Sequence, residues 1–200
     1  MKIVVVSGGF DPIHSGHIAY FKSAKSHGNK LIVALNSDAW LEKKKGKFFM
    51  PFNERKAIVE SIKFVDEVVS FEDDVKGSCI NALEEIKKSY PDDDVYFANG
   101  GDRTKDNIPE MVFDDVDFVF GVGGENKMNS SSWILREWKQ PKTLRQWGYY
   151  RILHDVSGCK VKELTVEPGQ SLSMQRHFKR HEFWHVTEGK CILDTKLSSG

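Results

Sequence analysis

Cysteine is scarce in this sequence: three in 200 residues, Cys79, Cys159 and Cys191, none spaced as C-x-x-C. An odd, scattered set builds neither a disulfide framework nor a cysteine-ligated zinc site, and it points to a reducing compartment. Net charge is also missing. Twenty-nine Lys and Arg cancel twenty-nine Asp and Glu, so the chain lacks the positive field that draws nucleic acid or an anionic membrane. Any anion it binds must be held by local geometry. Long apolar runs are missing too. The opening Ile3-Val4-Val5-Val6 stops at Ser7-Gly8-Gly9, too short for the core of a signal peptide, and no stretch approaches a membrane span. Together these absences predict a cytoplasmic protein with no nucleic-acid and no membrane partner.

What remains is an ordinary globular composition, 40% apolar and 29% charged, enough to bury a core in one large domain or two small ones. β-branched or apolar runs at Ile3–Val6, Leu31–Leu35, Glu67–Phe71, Asp94–Ala98 and Asp117–Val122 read as strands. Between them, apolar spacing near 3.6 predicts helices over His17–Lys25, Glu54–Phe64, Ser78–Lys88 and Ser130–Trp138. Strands alternating with helices predict an α/β fold, a parallel sheet covered on both faces. The pattern changes near Gln140-Pro141. Beyond it, Tyr150–Leu153 and Cys159–Val166 are short alternating strands with no helix signal, so a boundary falls at 140–147, dividing residues 1–140 from 147–200.

The segment Gly8-Gly9-Phe10-Asp11-Pro12-Ile13-His14-Ser15-Gly16-His17 leaves the first strand and opens the first helix. Ligands of open α/β sheets sit beyond the carboxyl ends of the strands. A helix start offers free N–H groups and a positive dipole end to an anion. Gly8 and Gly9 let the backbone approach a phosphate closely, and His14 and His17, three apart, share one face. Two imidazoles aimed at one anion can donate to its oxygens and offset developing charge. Neither the dinucleotide fingerprint GxGxxG nor the P-loop pattern is present.

Gly9-Phe10-Asp11-Pro12-Ile13-His14-Ser15-Gly16-His17 resembles the HxGH motif of the cytidylyltransferase-like nucleotidyltransferases. Further family-like signals follow in order: Asn36-Ser37-Asp38, Lys45-Gly46, Glu54-Arg55-Lys56, Gly100-Gly101-Asp102 and Ser130-Ser131-Ser132. The resemblance covers about residues 1–139 and is similar to heptose-1-phosphate adenylyltransferases and glycerol-3-phosphate cytidylyltransferases. It implies a Rossmann-like, doubly wound sheet. It also implies transfer of a nucleoside monophosphate from CTP or ATP to a phosphorylated sugar or alcohol, with release of pyrophosphate. In that reading His14, His17 and Lys45 are catalytic, with Lys45 reaching the phosphates from a loop. Gly8, Gly9, Phe10, Asp11, Gly101, Asp102, Arg103, Ser130, Ser131 and Ser132 bind the nucleotide, while Asn36, Asp38, Lys43 and Arg55 bind the acceptor. Magnesium is implied with the triphosphate. Where cytidylyltransferases often carry an arginine before the Ser-rich helix, Gly123–Asn129 offers only Lys127, which leaves the base open between cytosine and adenine.

A second pattern follows the boundary. Gly169-x5-Gln175-x-His177-x4-Glu182-x6-Gly189 places Gln175 and His177 two apart, on one face of an expected strand, with Glu182 returning after a turn. A histidine, a carboxylate and an amide oxygen suit a divalent metal such as zinc. With Trp147-Gly148-Tyr149-Tyr150, Val161-Lys162-Glu163-Leu164 and Pro168-Gly169, the pattern resembles the cupin domain of type II mannose-6-phosphate isomerases. The family's second motif would fall beyond residue 200, so a partial β jelly roll is expected. Its unpaired strand edges predict a homodimer. Two alternatives stay open: a bifunctional or metal-dependent sugar-phosphate isomerase, and a non-catalytic sugar-nucleotide-binding module.

Overall fold

The computed structural model describes residues 1–101, 103–124, 129–175 and 177–194. The chain divides into two units, Met1–Pro141 and Lys142–Gly200.

The first unit is built on a five-stranded parallel sheet in the order β3-β2-β1-β4-β5. The strands are β1 (Lys2–Gly8), β2 (Lys30–Leu35), β3 (Glu67–Ser70), β4 (Asp94–Ala98) and β5 (Asp117–Val119). Helices α1 (Ser15–Lys25), α2 (Asp38–Lys45), α3 (Phe52–Glu60), α4 (Ile80–Ser89) and α5 (Ser131–Lys139) complete it. This is the doubly wound order with its switch point between β1 and β4, where ligand crevices form. The alternation along β1 shows why a continuous apolar run is needed there. Ile3 and Val5 pack one way, against Ala82, Leu83 and Ile86 of α4. Val4 and Val6 pack the other way, against Phe21 and Ala24 of α1 and Val59 of α3. Both faces are buried, as an all-parallel sheet requires.

The sheet and helices expected from the sequence form, with three differences. The lysine run lies on α2 rather than on a loop. Ser37 caps this helix, its Oγ accepting from Trp40 N–H at 3.0 Å. Asp38 is in the first turn and Lys43–Lys45 in the last, matching the helix dipole at both ends. Gly46 ends it at φ +82°, a conformation that glycine adopts without a Cβ penalty. The expected fifth strand stops at Val119, and past it Val122 N–H bonds to Asn99 O at 3.1 Å instead of continuing the ladder. The helix after residue 54 begins earlier, at Phe52, and ends at Glu60.

The second unit holds a three-stranded antiparallel sheet of β6 (Thr143–Arg145), β7 (Gly148–Val156) and β8 (Cys159–Val166), in that order. The strand expected to carry Gln175 and His177 is not formed among the described residues. Among the described residues β8 is the sheet's edge, and no strand extends the ladder beyond it. No helix among the described residues is long and apolar enough to cross a membrane.

Candidate active site

A cleft of about 210 Å³ opens at the carboxyl ends of the strands in the first unit. Ser7, Gly8 and Gly9 at the end of β1 and Asn36 after β2 form its floor, with Lys44 and Lys45 of α2, His17 of α1, Arg103 after β4 and Ser131 of α5 around it. The turn after β1 is tightly packed. A Cβ on Gly9 would come within 2.6 Å of Leu41 Cδ2, so the backbone runs against α2 where a side chain would not fit. Phe10 takes φ +47°, and its ring packs edge-on against Phe21 and His17 at 4.8 and 5.0 Å. The Asp11–Pro12 peptide is cis.

The two histidines meet as their spacing predicts. His14 is the N-cap of α1, its Nδ1 accepting from Gly16 N–H at 3.1 Å. Its ring stacks on that of His17, with centroids 3.8 Å apart and planes 26° from parallel. His17 Nδ1 is buried with no hydrogen-bond partner. Burial first, then the neighbouring His14 and Lys45, push the His17 pKa down to about 3. Two stacked imidazoles with a lysine beside them repel a second proton, so His17 is neutral at neutral pH. His17 lines the cleft together with Lys44 and Lys45, and an imidazole N–H suits an anion's oxygen. Lys45 donates to Asp11 O at 3.1 Å, and burial lowers its pKa although Asp11 opposes the shift.

Several residues expected to touch substrate hold the site together instead. Arg55 is 1% exposed. Its guanidinium donates to Met50 O at 3.0 Å, Gly9 O at 2.8 Å and Asn36 O at 2.9 Å, and pairs with Asp38 Oδ1 at 2.6 Å. Four of its five N–H donors go to the protein, so the guanidinium expected at an acceptor phosphate holds the site's backbone together. Asp38 is engaged likewise, since its other oxygen accepts from Phe52 N–H at 3.0 Å. Asp11 is buried, its two oxygens accepting from Phe49 N–H at 2.7 Å and Met50 N–H at 2.8 Å, so its carboxylate braces the segment before α3. Lys43 donates to Val75 O at 3.0 Å and does not line the cleft, whereas Lys44 does. Ser130 caps α5 through Trp133 N–H at 3.1 Å, and Ser131 Oγ donates to Pro12 O at 2.8 Å, tying the helix start to the turn after β1. Ser132 is exposed, Gly101 lies in the turn after β4 at φ +67°, and Asp102 and Lys127 fall outside the described residues.

The cleft also contains Trp40, Gly77, Cys79 and Glu110, which sequence reasoning missed. Trp40 Nε1 donates to Gly77 O at 2.9 Å, and Lys44 Nζ lies 4.2 Å from the indole centroid. Nothing in the local pattern marks Glu110. It comes from a turn-rich segment and meets Cys79 across 31 residues.

In the second unit, His177 Nε2 and Glu182 Oε1 come within 3.2 Å of each other, and Arg180 reaches both, at 2.7 and 2.8 Å. A guanidinium thus stands where a cation bound by this pair would sit. Among the described residues no three His, Cys, Asp or Glu gather as a metal site, so those present do not fit a divalent ion.

The cytidylyltransferase-like family model matches residues 5–163, and the mannose-6-phosphate isomerase C-terminal model matches residues 136–197. The bifunctional protein HldE of Hahella chejuensis is 34% identical over 126 residues, which is 62% of this chain and 24% of that protein. Its counterpart in Marinomonas sp. is 37% identical over 130 residues, 64% of this chain and 24% of that one. The chain therefore spans about a quarter, 24%, of the length of these curated relatives. The crystal structure of a bifunctional NMN adenylyltransferase/ADP ribose pyrophosphatase from Francisella tularensis aligns with a TM-score of 0.51 at 17% identity, covering 69% of this chain and 42% of that one, a likeness of fold.

Proposed function

The chain belongs to the cytidylyltransferase-like family, and from that premise we propose that it transfers a nucleoside monophosphate from CTP or ATP to a phosphorylated sugar or alcohol. An oxygen of the acceptor phosphate attacks the α-phosphorus, the bond to the β-phosphate oxygen breaks, and pyrophosphate leaves. Such a transfer needs positioning and charge stabilisation rather than a protein nucleophile.

The observation that carries this reading is the stacked His14–His17 pair at the start of α1, with His17 lining a cleft that Lys44 and Lys45 also line. A neutral imidazole N–H donates to an α-phosphate oxygen. As negative charge builds there, the field of the phosphate favours imidazolium and the donation strengthens, which is stabilisation concentrated in the transition state. Lys45, partly desolvated, is a point charge for the β- and γ-phosphates. The starts of α1 and α5, joined by the bond from Ser131 to Pro12, aim two helix dipoles at the same region. Magnesium carried by the triphosphate would supply charge neutralisation there. Asp11 has both oxygens committed to backbone donors, and we assign the ion no protein ligand.

The test is a matrix of CTP and ATP against phosphorylated sugars and alcohols, read as pyrophosphate release. Release with at least one pair, abolished when His14 and His17 are both replaced by alanine, is the expected result. No release with any pair overturns the reading. A second reading, sugar-phosphate isomerisation by the second unit, rests on the match of residues 136–197 alone. Interconversion of mannose 6-phosphate with its ketose tests it.

A further inference from the structure

Tyr20 belongs to the helix that carries both histidines, yet it is not among the residues that line the cleft. It follows His17 by three positions, one turn further along the same face of α1. Its hydroxyl donates to Ala98 O at 2.6 Å. Ala98 is fully buried and is the last residue of β4, so this bond fixes the point at which the chain leaves the sheet. Two glycines then close on Tyr20. A Cβ on Gly100 would come within 2.7 Å of Val122 O and 3.1 Å of Tyr20 Cε2, which leaves no room for a side chain there. A Cβ on Gly123, at φ +88°, would come within 3.2 Å of Tyr20 Cα. The turns after β4 and β5 thus lie directly against this one residue.

The two turns are also tied to each other. Asn99 N–H donates to Val119 O at 2.7 Å, and Val122 N–H donates to Asn99 O at 3.1 Å. Val122 is buried in one cluster with Phe21 and Ala98, against which Tyr20 packs. Tyr20 therefore braces both turns as one wall, from the helix whose start presents His14 and His17. The switch point lies between β1 and β4, so the ends of these strands flank the ligand crevice. Lys44 and Lys45, which follow β2, stand on one side of the cleft, and Arg103, which follows β4, stands on the other. A nucleotide is an anionic chain joined to a flat ring. With its phosphates at His17 and Lys45, its ring reaches the wall beyond β4 and β5, where glycine backbone permits close approach.

We infer that Tyr20 is a positioning residue for the nucleoside part of the nucleotide, acting through the turns after β4 and β5 and setting their distance from the histidine pair. This rests on the transfer reaction above for the identity of the ligand. Its test reads binding, and pyrophosphate release is scored apart.

The experiment is calorimetric titration of the full chain at constant magnesium. The probes are non-hydrolysable CTP and ATP analogues, CMP, AMP and inorganic tripolyphosphate, which carries the phosphates without a nucleoside. Wild type, Tyr20→Phe and Tyr20→Ala are compared. Tyr20→Phe keeps the ring and loses only the bond to Ala98 O. It should weaken the preferred triphosphate analogue and its monophosphate by about threefold to tenfold, the scale of one neutral hydrogen bond. Tripolyphosphate should stay within about twofold, because the histidines and Lys45 are untouched. Tyr20→Ala should weaken the nucleotides further, and should it not fold, Tyr20→Phe decides. Val59→Ala is the control for lost stability alone, since Val59 is buried in the same cluster but comes from α3. It should lower the melting temperature and leave every affinity within about twofold. Nucleotide affinity unchanged in Tyr20→Phe, an equal loss of tripolyphosphate, an equal loss in Val59→Ala, or a wild type that binds neither analogue would each overturn the inference. Tyr20-dependent nucleotide binding without pyrophosphate release from any pair would overturn the transfer reaction and leave the positioning role standing.

Discussion

His14 and His17 show how two side chains can be tuned by each other. Burial first, and then the His14 ring stacked at 3.8 Å, disfavour a proton on His17. Alanine at either position should lower kcat by about 10²-fold or more, as when a preorganised donor to developing charge is lost. The measurement is steady-state pyrophosphate release, with circular dichroism confirming that each variant is folded. The depressed pKa also has a consequence for stability. The His17 pKa is about 3 in the folded chain and about 6.5 when unfolded, so the unfolded state binds more protons between those values. Stability present above pH 6.5 is therefore lost progressively as pH falls toward 3. Thermal melts of the protein without substrates should show this decline, and His17→Ala should flatten it over the same window.

At the scale of elements, Arg55 fastens three segments. It joins the end of β1 through Gly9, the end of β2 through Asn36, and the segment before α3 through Met50, while its charge is balanced by Asp38 at the start of α2. Arg55→Ala should destabilise the fold by about 3–5 kcal/mol, the range for breaking a buried ion pair from one side. Urea unfolding would measure it. A substrate-binding arginine behaves otherwise, raising the acceptor KM while leaving the urea midpoint in place. The family resemblance singled out this arginine for an acceptor phosphate, and in the fold it holds three carbonyls and Asp38. On a short helix beside a lysine run, a cation bound for solvent and one bound inward carry the same letters. Helix α2 is the reverse case. Ser37, Asp38, three terminal lysines and Gly46 all signal a helix locally, yet so charged a stretch reads as a loop until Leu41 is seen buried beneath it.

For the whole molecule, both apolar clusters are made only of residues up to Val122, and every strand of the five-stranded sheet pairs within it. Residues 1–141 expressed alone should therefore fold cooperatively and keep nucleotide binding, measurable by thermal melt and calorimetry. The second unit is different. Phe183 is 99% exposed and Ile192 95%, and among the described residues β8 is an edge strand. We expect the full chain to self-associate and the 1–141 fragment to sediment as a monomer.

The sequence alone determined the alternation of strands and helices, the two-faced burial of β1, the glycine turn after it, and the placing of His14 and His17 on one face at a helix start. These are short-range properties. Side-chain period, helix caps and glycine turns are set within a few residues, so a string of letters carries them. Only the tertiary structure decided where the polar side chains went. Arg55 reaches carbonyls 46 and 19 residues away, and Glu110 accepts from Cys79 N–H across 31 residues. Among the described residues Gln175 and His177 lie on no strand, and a strand forms only where a neighbouring ladder receives its hydrogen bonds. A buried ionic or hydrogen-bonding group is satisfied by whatever the fold brings beside it, and that neighbour is a product of the sheet's order rather than of local spacing.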